Sequence, residues 1–362
     1  MKTIVLAGRS LDHVIQALHE GYLDYSRCQR RSFPPGSCAC SMRDVDQVKL
    51  SLLGSYLPRD EPLELYVTSR AELRGSHATK PLIRCRLMPE RLPRDAFVKV
   101  RDHVLVPSPE QYFVRRCADI RDVPECLALG MELAGQYSRE WPGENGERCV
   151  YHCLPLTSRM SIASYLARAE GVRGRGAAAR ALPWLLDNSF SPMETLLVTL
   201  LTLPLRHRGA NLPMPQLNPK LSVPENKRHL TQRAYYQPDI YWEQFNLDVE
   251  YDSKERHATK AEYKRDMDRK SDIEALGIRV IPVRPKDLYS TEAFERKLAQ
   301  IVEHIGKVGT ANDRRRLRKL APDTAHDALH DLRRELLPSQ EERLELFDDL
   351  APSGGNPATW FD

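Results

Sequence analysis

Apolar positions recur at helical spacing over residues 11–18, and residues 31–38 (RSFPPGSC) have the composition of a loop. Beyond that, residues 1–45 carry no regular pattern. Short β-type runs follow at 63–67, 82–87 and 97–106, the last interrupted at Arg101-Asp102, which predicts a hairpin. Ser108, Pro109 and Gln111 spell a helix start, with a hydroxyl cap, a first-turn proline and a Gln three residues after the cap. Helical patterns continue through 112–120, 124–137, 159–169 and 176–186, with Gly171 and Gly174 separating the last two. Strands followed by helices predict an α+β unit over residues 1–187.

The pattern changes at residues 186–189. Ser191-Pro192-Met193-Glu194 opens a strongly apolar helix, and a polar, Pro-rich stretch (213–228) leads to two strands, 233–242 and 245–252, turning at Glu243-Gln244. Thr259 and Glu262 form a capping-box pair for a helix that runs to Leu276 and stops at Gly277. A buried strand (278–283) and an amphipathic helix (291–305) follow. With one more strand in the Pro-rich stretch, the order is αβββαβ before the closing helix, an α/β core over residues 188–307. Residues 308–362 are charged and end in PSGGNPATWFD, which predicts a mobile tail.

A length of 362 residues suits two domains and a tail, and 41% apolar with 29% charged residues suits a water-soluble chain. No apolar run approaches the roughly 18 residues that span a bilayer. The amino terminus lacks a signal-peptide pattern, so a cytoplasmic protein that does not engage a membrane is expected. The eight cysteines show no paired C-x-x-C spacing, so reduced structural thiols are expected. A net charge of +4 gives no strong polyanion signal by itself. The run from Arg314 to Lys319 suits either a phosphate backbone or a solvated helix. No P-loop motif occurs.

Chemistry concentrates in the strand 245–252. Alternation puts Asn246, Asp248, Glu250 and Asp252 on one face and Leu247, Val249 and Tyr251 on the other. An acidic row on a central strand is costly unless a cation, water or a metal balances it. Asp239 on the preceding strand lies close to the turn and so near Glu250. A pair of carboxylates from adjacent strands suits Mg²⁺, with waters and phosphate oxygens completing the shell. Glu194 follows a Ser cap by three residues, so it also fits the acid of a capping box.

This stretch resembles the PD-(D/E)XK nuclease superfamily, and more closely the Vsr-like endonuclease domain of actinobacterial proteins. The matching pieces are Ser191-Pro192-x-Glu194, Pro238-Asp239, Val249-Glu250-Tyr251-Asp252, His257, Asp266-x-x-Arg269 and Leu276-Gly277-Ile278-Arg279-Val280. The resemblance implies a restriction-endonuclease-like core with Mg²⁺ or Mn²⁺ bound by Asp239 and Glu250. It implies that Glu194 acts through water, that His257 assists the attacking water or leaving group, and that Asp252 stands where the classical pattern has lysine. Arg256, Lys260 and Arg269 would face nucleic acid, most naturally DNA. Residues 1–187 more loosely resemble the AbiEi-type region that precedes such domains, through Leu65-Tyr66-Val67-Thr68, the hairpin at 98–106 and Ser108-Pro109. The implied setting is bacterial defence or DNA processing, with a toxin–antitoxin or phage-defence partner. The alternative is a catalytically inactive nuclease-fold protein that binds nucleic acid or regulates a toxin partner.

Overall fold

The computed structural model describes residues 2–32, 38–46, 61–73, 82–88, 92–139, 149–252 and 260–338, without the side chains of 42, 46 and 260–266. A first four-stranded sheet has the order Ile4–Val5, Val104–Pro107, Phe97–Arg101, Gln29–Arg31. The expected hairpin joins its two central strands, with His103 at φ 60 in the turn. Leu63–Val67 and Ile83–Leu87 pair in parallel beside it. The helix Gly8–His19 buries Leu11, Val14, Ile15 and Leu18 on the stripe that its spacing defines.

Ser108 caps the helix Pro109–Ile120, its hydroxyl accepting from the Gln111 amide at 3.3 Å. The Gln111 side chain does not close the capping box; it accepts from the Tyr165 hydroxyl. Helices Val123–Leu133, Arg159–Arg168 and Arg175–Ala181 pack around this one. Gly174 sits at φ +97, and a Cβ there would lie 1.9 Å from the Val114 carbonyl, so the close approach of these helices requires glycine.

The second half is organised by a sheet in the order Arg279–Val283, Leu247–Tyr251, Ile240–Trp242, Gln216–Leu217. Leu247–Tyr251 is central, parallel to Arg279–Val283 and antiparallel to Ile240–Trp242. Taken with the helices Pro192–Thr202 and Lys260–Ala275, the strands of this sheet follow the chain order αβββαβ, and the helix Thr291–Val308 then packs on Arg279–Val283. The strand expected at 233–242 is split. Tyr235–Tyr236 pairs instead with Leu221–Ser222 in a separate two-stranded ribbon. Pro238, which has no N–H to donate, lies at the break. A 3₁₀ turn at Glu243–Phe245 and Asn246 at φ 45 connect the two central strands. Gly277 at φ +87 ends the helix Lys260–Ala275.

The expectation of a mobile tail is corrected up to residue 338. Helices Ala311–Arg318 and Asp323–Leu336 are present, the first capped by a Thr310–Asp313 box. The second docks through buried Leu329, Leu332 and Arg333, whose guanidinium donates to the Leu288 carbonyl and the Thr291 hydroxyl. Charge density misled here because Leu329 and Leu332 form a narrow apolar stripe inside a polar sequence. Residues 339–362 lie outside the described residues.

One apolar core runs through both halves, including Phe113, Leu197, Leu247, Phe294 and Leu329. A smaller cluster, with Val223, Tyr236, Tyr241, Ile273, Ile278 and Val280, lies between the ribbon and the helix Lys260–Ala275. The architecture is therefore mixed α/β with several small sheets. All eight cysteines are free thiols, and no described helix is long and apolar enough to cross a membrane.

Candidate carboxylate site

Ile240 pairs with Val249, so the register places Asp239 beside Glu250 across the antiparallel pair. The Tyr251 amide donates to Asp239 Oδ2 at 2.8 Å, and the Asp239 carbonyl accepts from the Asn218 amide at 3.0 Å. Asp239 keeps a partial opening to solvent. Even so, its pKa lies well above the usual carboxylate range, first through desolvation and then through the charges of Glu250 and Glu194.

Glu194 reaches the same region from the first turn of its helix. Its own amide donates to Ser191 Oγ at 3.1 Å, and its carboxylate accepts from the Ser191 hydroxyl at 2.9 Å and the Phe190 amide at 3.0 Å. This is a capping arrangement. It also accepts from Asn218 Nδ2 at 2.7 Å, a bond no cap requires. Burial raises the Glu194 pKa, against the opposing pull of these donors. Asn218 is set by a reciprocal contact with Asn188: each amide nitrogen donates to the other's carbonyl, at 3.0 and 3.1 Å. Both asparagines take the left-handed conformation that asparagine tolerates best among non-glycine residues.

Leu247 and Val249 enter the core and Tyr251 packs against it, as strand alternation predicts. The opposite face is also covered. Asp248 is 0% exposed, and among the described residues no N–H or hydroxyl donates to either of its oxygens. Its pKa is pushed well above the carboxylate range by burial, then by the charge of Glu250 and a carboxyl–carboxylate hydrogen bond with it. Sequence reasoning put Asp248 on the right face but did not single it out. A carboxylate two residues from Glu250 on a strand buried on both sides is the signal that was present.

Arg269 is the cation of the cluster. It donates to Glu250 Oε2 at 2.6 Å and to the Gln237 carbonyl at 2.8 Å. Expected to face nucleic acid, its guanidinium is turned to the acids instead. Among the described residues, no N–H or hydroxyl donates to the buried Glu250 Oε1. Asp252, grouped with the catalytic acids by resemblance, extends towards Arg284 at 3.6 Å. Arg256 and His257 lie outside the described residues, as do the side chains of Lys260 and Asp266. The structure therefore brings together Glu194, Asp239, Glu250 and Arg269, and adds Asp248 and Asn218.

Among the described residues, no group of three or more His, Cys, Asp or Glu side chains is arranged to hold a metal ion. Asp239 and Glu250 offer hard oxygen donors, one of them the orphaned Oε1. Mg²⁺ usually takes one or two carboxylates plus water and phosphate oxygens, so the pair fits an open two-carboxylate site and not a closed cage. A cavity of about 260 Å³ borders the helix Pro192–Thr202 elsewhere, lined by Thr199, Leu336 and Pro338 and not by these acids. Compared with protein-family models, curated proteins and solved structures, the chain matches none of them.

Proposed function

We propose that this protein is a metal-dependent DNA endonuclease with a restriction-endonuclease-like core, acting in bacterial defence or DNA processing. The observation that carries the proposal is the convergence of Glu194, Asp239 and Glu250 from a helix and two strands, with acids in surplus over Arg269 among the described residues. The αβββαβ element order supports the same reading.

Asp239 and Glu250 would hold Mg²⁺ or Mn²⁺, which when bound polarises a phosphate and acidifies a coordinated water. The chain's own residues prepare that site. The Tyr251 amide fixes one oxygen of Asp239, and Arg269 fixes Oε2 of Glu250 without holding Oε1. Glu194, oriented by Asn218, can retain a proton at higher pH than an ordinary glutamate and pass it through water. Asp248 backs Glu250 from the interior.

The second reading is a nuclease fold that binds without cutting, and the Arg269 pairing favours it, because that guanidinium already offsets one charge of the acid pair. Incubating supercoiled plasmid and single-stranded DNA with the protein in Mg²⁺, Mn²⁺ or EDTA separates the two. Cleavage is expected with either metal, and none with EDTA or in Glu250→Gln. Mg²⁺ should also raise the melting temperature of the wild type alone, since a ligand of the native state stabilises it by mass action. Full activity in Glu250→Gln would remove the site assignment. A Mg²⁺-dependent melting shift without cleavage would establish the binding-only reading.

A further inference from the structure

We infer that the two-stranded ribbon Leu221–Ser222/Tyr235–Tyr236, with the 3₁₀ segment Glu225–Leu230 at its tip, is the surface that grips the nucleic-acid phosphate backbone beside the carboxylate site. The inference rests on the nuclease reading and names the contact surface for its substrate.

Three observations lead to it. The first is charge. Residues 219–236 hold Lys220, Lys227, Arg228 and Arg233 against one acid, Glu225, a local excess of +3 in a chain whose total is +4. Lys220, Arg228 and Arg233 are exposed, and among the described residues none has an acidic partner within ion-pair distance. Exposed Arg168 and Arg173, by contrast, are held by Asp95 and Asp119, at 2.9 and 3.4 Å. Unpaired cations on one element are the electrostatic footprint of a polyanion site.

The second is aromatic character. Tyr235 is 41% exposed, and Lys220 Nζ lies 4.1 Å from its ring centroid. The ring orients the ammonium without neutralising it. It also offers a face on which an unstacked base can rest.

The third is placement. Leu221 follows Asn218, the residue that orients Glu194, by three positions, and Tyr236 precedes Asp239 by three. Both strands therefore lead directly out of the carboxylate site. The ribbon and its tip are held down, with Asp272 accepting from the Tyr236 hydroxyl at 2.6 Å and the Gln232 amide at 3.0 Å. Lys227 donates to the Leu276 carbonyl at 2.9 Å. Val223 and Tyr236 pack on Ile273 and Ile278 below. A preformed two-stranded ribbon has the width that a DNA major groove admits. Anchored this way, it sets the distance between the gripped phosphates and Asp239.

The test is anisotropy of a short fluorescein-labelled DNA duplex with the full chain, in EDTA so that no cleavage intervenes, over a salt series. Lys220→Ala/Arg228→Ala/Arg233→Ala should weaken binding at least about tenfold, and the slope of log affinity against log salt should fall by about 0.9 for each cation lost. Melting temperature should not change, since all three residues are exposed; if it does, the single exchange Arg228→Glu repeats the measurement. Arg314→Ala/Arg315→Ala/Arg318→Ala, on the other exposed basic segment, should leave affinity near wild type.

Wild-type affinity in the ribbon variant would overturn the inference, and so would a loss confined to the Arg314 set. Binding of phosphatidylserine vesicles in place of DNA would overturn it as well. If the wild type binds duplex through the ribbon but never cleaves, the inference stands and the endonuclease reading fails. If the wild type cleaves and the ribbon variant binds normally, the endonuclease reading stands and the inference fails.

Discussion

Glu64, Glu110 and Glu132 in the amino-terminal half are buried as deeply as Glu194 and Asp248 in the carboxyl-terminal half, yet their surroundings differ in kind. Glu110 receives both Arg30 amines, at 2.6 and 2.9 Å, and the Thr157 hydroxyl. Glu64 is flanked by Arg84 and Arg86, and Glu132 takes Arg139 through both its backbone and its guanidinium. Burial alone would raise the Glu110 pKa, but the Arg30 hydrogen bond and charge outweigh it and the net shift is downward. In the carboxyl-terminal sheet the acids face one another, with Arg269 as the cation that lowers both Asp239 and Asp248, and both pKa values rise. Acids with their own cations tie elements together. Acids that outnumber their cation store repulsion that an added cation relieves.

The sharpest test of this contrast is Arg30→Ala, which leaves Glu110 buried and unpaired. It should cost about 3 kcal/mol in urea unfolding near neutral pH, the low end for breaking such a pair because Arg30 is partly exposed. The depressed Glu110 pKa gives stability that is present above the unfolded value and lost as pH falls, so the gap between variant and wild type should narrow in acid. An unchanged unfolding midpoint would make this pair ornamental and dissolve the comparison.

Arg269→Ala should be smaller, about 2 kcal/mol, because both Arg269 and Glu250 are partly exposed to screening solvent. Its signature is recovery of melting temperature on adding Mg²⁺, which Arg30→Ala should not show. Equal Mg²⁺ responses in the two variants would contradict the distinction between the regions.

The smallest effect has the opposite sign. A carboxyl whose pKa is raised in the fold penalises the native state as pH climbs above the unfolded value of about 3.9. Asp248 is such a group, so Asp248→Asn should melt at or above wild type at neutral pH, by about 1 kcal/mol or less. That gain should vanish near pH 4. A variant that melts well below the wild type at neutral pH would mean that Asp248 is ionised and satisfied, as the amino-terminal acids are.

The amino-acid sequence alone determined several of the local elements. Ser108-Pro109 and Ser191-Pro192 start helices because hydroxyl caps and first-turn prolines meet orphan N–H groups and a fixed φ, whatever the fold. Alternation along 247–251 assigned Leu247, Val249 and Tyr251 to one face and the acids to the other, because that depends only on the two-residue repeat of a strand. Tertiary structure decided what covers each face. The burial of Asp248, the turn of Arg269 towards Glu250 and of Asp252 towards Arg284, and the Asn188–Asn218 contact all join residues from distant parts of the chain. No local pattern encodes them. The docking of residues 323–336 was hidden for the same reason: a helix polar on most of its surface is stable only when a neighbour buries its narrow apolar stripe, and that neighbour lies elsewhere in the chain.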